Sequence, residues 1–167
     1  QYNLPGVVRM EGLEFSYKQA LTFLPRWSRG LQVFVNGNTL RATGANVDNL
    51  TGANYVPRSG SWGISLTREK YNMRVNWNYR GRQVRGAVAP GRSIAPGTRN
   101  WGAARLYVDV SGEYYLSRKI AVYLAVRNLN DAVENSEILN AMTPANARLQ
   151  IRENFGALWT LGLKGAF

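Results

Sequence analysis

Cysteine and histidine are both missing from this chain. Their absence removes disulfides, thiolate metal sites, Cys–His and Ser–His catalytic pairs and every imidazole acid or base. Long apolar runs are missing too, since none reaches the roughly 18 residues that a membrane-spanning helix needs. Acidic residues are scarce, 10 against 21 basic ones, for a net charge of +11. Such an excess is the general footprint of nucleic-acid or anionic-surface binding. Here the arginines are spread along the whole chain and recur on one side of expected strands, which argues against a nucleic-acid partner. A starting methionine and a charged-then-apolar signal segment are also lacking at Gln1. The expectation is a processed chain, or a piece of something longer.

The 167 residues are 45% apolar and 19% charged. That is too apolar for intrinsic disorder and ordinary for a soluble domain, so patterning must carry the reading. What is present throughout is period-two alternation. Tyr71, Met73, Val75, Trp77 and Tyr79 alternate with Asn72, Arg74, Asn76 and Asn78. In a strand these sets project to opposite faces, whereas a helix would mix them. Leu13 to Phe23 reads the same way, with Gln19 as the exception on the apolar side. Leu31, Val33 and Val35 form a weaker face, and Trp62, Ile64 and Leu66 a clearer one. From Arg105 to Leu116, from Ile120 to Arg127, and from Asn154 to Phe167 the alternation returns. About seven strands result, most near the roughly 9–11 residues of a tilted membrane strand and longer than the roughly 5–6 usual in soluble sheets.

Two dipeptides test this count. Asn36-Gly37 is a strong hairpin signal and would add a strand. Ser111-Gly112 is weaker, and the apolar parity runs unbroken through it, so a continuous strand is expected there. The connections alternate short and long. Leu24 to Gly30, Arg68 to Lys70 and Ser117 to Lys119 are short, while Gly44 to Gly60, Gly81 to Asn100 and Asn130 to Asn146 are long. Long loops are uncommon in compact soluble domains, and strict alternation is the habit of outer-membrane barrels. Aromatics near the short turns (Phe23, Trp27, Tyr71, Tyr114, Tyr115, Phe167) and near the long ones (Trp62, Trp101) suit two interfacial girdles.

An amphipathic sheet must hide its apolar face, inward in a soluble barrel and outward in a lipid-embedded one. Strand length, loop alternation, girdles and the terminal Phe167 jointly point to lipid. The expected fold class is therefore all-β, an antiparallel transmembrane β-barrel segment. Single-chain bacterial barrels have even strand counts from about eight upward, so seven strands point to a fragment.

The sequence at this point resembles the C-terminal part of TonB-dependent outer-membrane receptors, over essentially all of residues 1–167. Gly12-Leu13-Glu14-Phe15 looks like a strand opening of that family. Val108 to Tyr115, then Leu116, a basic turn and Ile120 to Val126, resembles its penultimate hairpin. Arg127-Asn128-Leu129-Asn130-Asp131 is similar to a family segment that carries an aromatic where Asn130 stands. Trp159 to Phe167 looks like the closing strand, with Gly165 in place of the usual aromatic two places from the end. The resemblance implies a fragment of a barrel of about 22 strands, whose plug domain and TonB-contacting segment are not in this chain. It also implies a bacterial outer-membrane location, with lipid and lipopolysaccharide around it. Uptake would be TonB-coupled, for a siderophore, cobalamin or glycan ligand, and Phe167 would be the C-terminal signal read by the barrel-assembly machinery.

No catalytic constellation or cofactor motif emerges. Asp109 and Glu113 share a strand face but stand roughly 13 Å apart along it, too far for a glycosidase pair. They are expected to pair with arginines such as Arg105. The polar-face set Arg74, Arg80, Arg105 and Arg127 is the candidate lumen lining, able to attract an anionic ligand or to pair with plug or lumen carboxylates. Arg82, Arg85, Arg92 and Arg99 are candidates for lipopolysaccharide phosphates. The Asn49-Leu50-Thr51 sequon carries no weight. Two other readings are a self-contained eight-strand barrel with a structural or adhesive role, its extra strand arising at Asn36-Gly37 or within residues 1–10, and a soluble ligand-binding β-barrel.

Overall fold

The computed structural model describes residues 7–44 and 55–165. In chain order the strands are β1 (Val8–Ala20), β2 (Leu31–Gly44), β3 (Arg58–Thr67), β4 (Tyr71–Arg80), β5 (Gln83–Ala87) and β6 (Arg99–Gly102). They continue with β7 (Arg105–Tyr115), β8 (Ile120–Arg127), β9 (Glu134–Leu139), β10 (Leu149–Glu153) and β11 (Leu158–Gly165). Seven of them form one antiparallel sheet in the order β1-β2-β3-β4-β7-β8-β11. The other four form a second sheet in the order β10-β9-β6-β5.

Cross-strand register converts the sequence alternation into rows. Tyr17, Val35, Trp62, Trp77 and Val108 lie side by side across five strands. The next row is Gln19, Val33, Ile64, Val75, Val110, Val126 and Trp159. Beyond it come Leu31, Leu66, Met73, Gly112, Leu124 and Leu161, then Tyr71, Tyr114, Val122 and Leu163. One face is therefore apolar or aromatic across these rows, Gln19 excepted. Gln19 has its amide oxygen taken by the Tyr17 hydroxyl.

Nothing among the described residues covers this face. Leu161 and Leu163 are 74% and 73% exposed, and only Ala121 (5%) and Val126 (3%) count as buried apolar residues. A sandwich or small soluble barrel buries such a face in a common core, and the described residues form no such core. The sheet is also open, with β1 and β11 at its edges. Every neighbouring pair is antiparallel. Seven such strands leave the two edges running in the same direction.

The seven expected strands are the seven of the large sheet, with three differences. β2 runs straight through Asn36-Gly37, so no hairpin forms there; Gly37 pairs with Phe15 on one side and Gly60 on the other. β1 begins at Val8 and stops at Ala20, leaving Leu21 and Phe23 in the turn. Its early part carries Arg9 and Glu11 on the apolar parity, joined by a 2.7 Å ion pair, so no apolar pattern announces it. β11 starts at Leu158, because Asn154 to Ala157 form a corner at Gly156 (φ 68°). Ser111-Gly112 lies within β7, as expected.

The long connections are not irregular throughout. They hold β5, β6, β9 and β10, whose order repeats that of β4, β7, β8 and β11. The small sheet is thus the last four strands of the large one carried onward after a break. Phe167 and the Asn49 to Thr51 sequon lie outside the described residues.

Candidate functional site

The other face of the large sheet is polar, and register again groups it. Ser16, Asn36, Ser61, Asn78 and Tyr107 form one row; Glu14, Asn38, Ser59, Arg80 and Arg105 form the next. Short side chains bond across the strands: Ser16 to Asn36 at 2.7 Å, Ser59 to Asn38 at 2.9 Å, Asn78 to Asp109 at 2.9 Å. A groove of about 540 Å³ lies along them, lined by Glu14, Ser16, Asn36, Asn38, Ser59 and Asn78 among others.

Large side chains on this face lie flat over glycines. The Phe34 ring covers Gly63, where an added Cβ would meet ring atoms at 2.6 Å, and the Arg74 guanidinium sits 4.5 Å above that ring. Tyr123 covers Gly162 in the same way and is capped by Lys164 at 5.4 Å. Aromatics laid over strand glycines pin register where a sheet bends.

At the junction of the two sheets the charges concentrate. Arg80 and Arg105 are direct cross-strand neighbours, an arrangement of like charges that is unfavourable alone. Arg105 is relieved by an ion pair to Glu134, their side chains being 17% and 21% exposed. Tyr107 donates to the same carboxylate at 2.6 Å, and Arg85 approaches it at 3.9 Å while donating to Ser136 at 2.8 Å. Arg85 reaches there by lying across Gly102, where a Cβ would stand 2.9 Å from Nε. Burial disfavours the Glu134 charge, but the hydrogen bonds from Tyr107 and Arg105 and the charges of Arg105 and Arg85 outweigh it and lower the carboxyl's pKa. Arg80 has no carboxylate among the described residues and donates to Gln83 Oε1 at 3.1 and 2.5 Å. On the opposite side Arg82 pairs with Glu137 and stacks 4.6 Å from Trp101.

The break between β8 and β9 is held by two asparagines. Asn128 (φ 55°) takes Asp109 Oδ1 on its backbone N–H, while its amide bonds Ala132 O at 3.2 Å and Gly156 O at 3.1 Å. Asn130 receives the Val108 N–H and donates to Leu106 O, both at 2.9 Å. Its side chain thus stands in for a missing ladder partner of β7.

Of the four candidate arginines, the structure brings Arg80 and Arg105 together. Arg74 is six residues from Arg80 along β4, roughly 20 Å away, and donates to Asn76 at 2.8 Å. Arg127 is exposed at the end of β8. The expected pairing of Asp109 and Glu113 with Arg105 is corrected. Asp109 accepts from Asn78 and from the Asn128 backbone, and Glu113 takes Lys164 and Asn72. Arg105 stands at the far end of β7 from Glu113 and finds the nearer Glu134 instead. Arg82 and Arg85 are committed to Glu137 and to Ser136 with Glu134, which leaves only Arg92 of the loop set fully exposed. Glu134, Gln83 and Ser136 were not foreseen, since their short strands carry no apolar alternation. No protein-family profile, curated protein or solved structure matches this chain.

Proposed function

We propose that this chain is a stretch of wall from a bacterial outer-membrane β-barrel, the C-terminal part of a TonB-dependent receptor that takes up a scarce siderophore, cobalamin or glycan. The observation that carries the membrane part is the uncovered apolar face, whose rows have no core beneath them among the described residues. Lipid is the surrounding that satisfies such a face, with the paired backbone behind it. Tyr71 to Tyr79 in β4 and Leu106 to Tyr114 in β7 each carry an apolar face nine residues long, about what a tilted span requires. The continuous β2 and the like-directed edges argue against closure of these seven strands alone. An all-antiparallel barrel containing them needs an odd number of further strands. The polar face would line the lumen, and the small sheet would project outward from the long-connection end.

The receptor part rests on the resemblance in the β7–β8 hairpin, the Asn128 segment and β11. Two experiments separate the parts. In bilayers containing lipids brominated along the acyl chain, the fluorescence of Trp62, Trp77 and Trp159 is expected to be quenched; an unquenched, detergent-independent protein rejects the membrane reading. Ligand uptake by cells carrying the intact receptor is expected to cease when TonB is deleted. Uptake that persists rejects the receptor reading and leaves the barrel standing.

A further inference from the structure

The apolar face is not uniformly filled. Four strand glycines are roofed by a neighbouring side chain: Gly63 by Phe34, Gly162 by Tyr123, Gly102 by Arg85 and Gly12 by Leu40. Gly112 is not. A Cβ there would meet only the Asn72 carbonyl at 3.3 Å and Met73 Cγ at 3.7 Å. The missing side chain leaves a notch of about 430 Å³ between the rows Met73–Gly112–Leu124 and Tyr71–Tyr114–Val122. It opens on the apolar side toward the short-turn end of the sheet.

That end is basic. The turn before Tyr71 carries Arg68, Glu69 and Lys70, and the turn after β7 carries Arg118 and Lys119. Arg68 is engaged by the Trp27 carbonyl. Lys70, Arg118 and Lys119 are exposed and make no side-chain bond among the described residues. The two turns are held next to one another, since the Tyr115 N–H donates to Lys70 O at 2.8 Å and Leu116 N–H to Ile120 O at 2.9 Å. An apolar slot thus lies beside three free cations, with Tyr71 and Tyr114 among its lining residues.

We propose that this notch binds one acyl chain of an anionic phospholipid, whose phosphate is held by Lys70, Arg118 and Lys119. The site rests on the membrane reading above. Its parts have separate roles. Gly112 makes the space, while Met73, Val122 and Leu124 give its walls. The long basic side chains reach the headgroup level as such residues do at membrane borders. A zwitterionic lipid fills the slot equally well but gains less from the cations, because its headgroup ammonium offsets its phosphate.

The test uses the complete protein embedded in nanodiscs of phosphatidylcholine with phosphatidylglycerol as the minority lipid. Native mass spectrometry on release from the discs then counts the lipids that stay bound. A single retained phosphatidylglycerol, in excess over phosphatidylcholine, is expected. Replacing Lys70, Arg118 and Lys119 by glutamine should lower that preference about fivefold per residue. Gly112→Leu should abolish retention of either lipid, and Met73→Phe, which fills the notch without touching Gly112, should do the same. Equal retention of both lipids, or a preference unmoved by these variants, overturns the proposal. Bromolipid quenching of Trp77 is recorded on the same samples. Quenching without lipid preference removes the notch site alone, and absence of quenching removes the membrane reading with it.

Discussion

The two sheets share a strand order and almost nothing else. In the large one, long strands align through apolar rows on one face and short amides and hydroxyls on the other. In the small one, strands of four to six residues are tied by side chains carrying charge: Arg82 to Glu137, Arg85 and Arg105 to Glu134. An apolar row needs an apolar solvent or a core to be useful. A charged lattice needs neighbours of the right sign and tolerates water at its margin. The change of chemistry falls at the break, around Gly81, Asn128 and Gly156, where the proposed wall would pass from lipid to water.

If that contrast is sound, a charge should be ruinous on one sheet and its removal ruinous on the other. Val75→Arg, in the middle of the apolar row, should cost about 2–4 kcal/mol and abolish heat-modifiable migration of the folded protein. Ordinary assembly of this variant would break the comparison. Glu134→Gln should cost about 1–3 kcal/mol by leaving Arg80, Arg85 and Arg105 facing one another. Hydrogen exchange should then speed up in β6 and β9 while the large sheet keeps its protection.

Acid should imitate that substitution. A carboxyl whose folded pKa is lowered contributes stability above its unfolded value and loses it as pH falls through the folded one. Below about pH 4.3, protection in β9 is expected to fade before that in β4, and the Glu134→Gln protein should lack this separation. Gly102→Ala pushes only the flexible end of Arg85, whereas Gly63→Ala drives a Cβ to within 2.4 Å of the Val75 carbonyl. The first should therefore lower the melting temperature much less than the second. Arg74→Ala is the mildest, removing a cation stacked on Phe34 that is worth about 0.5–1 kcal/mol in the melting free energy.

The large sheet was legible because a face presented to one environment along a whole strand writes itself as alternation. Tyr71 to Tyr79 shows this best, and even Gln19 was visible as the flaw it is. The small sheet was hidden for the complementary reason. Glu134-Asn135-Ser136-Glu137 has no apolar parity, and the strand identity of β9 comes from pairing with Arg99 to Gly102, far earlier in the chain. Arg80 and Arg105 could be named from the sequence as polar-face residues. Their adjacency depends on the β4–β7 register, and the relief at Glu134 on a strand that the sequence does not announce. Asn36-Gly37 misleads because turn propensity is local, while the pairing of β2 with both β1 and β3 holds the strand extended.

The like-directed edges carry a consequence for assembly. Two copies sharing one orientation in a membrane can meet β1 to β1, β1 to β11 or β11 to β11, and every such meeting sets strands running the same way. No ring made solely of these seven-strand sheets can therefore keep the antiparallel alternation that each sheet has within itself. Like-oriented copies therefore cannot extend the antiparallel pairing, and only a strand of opposite heading can pair antiparallel with β1 or β11.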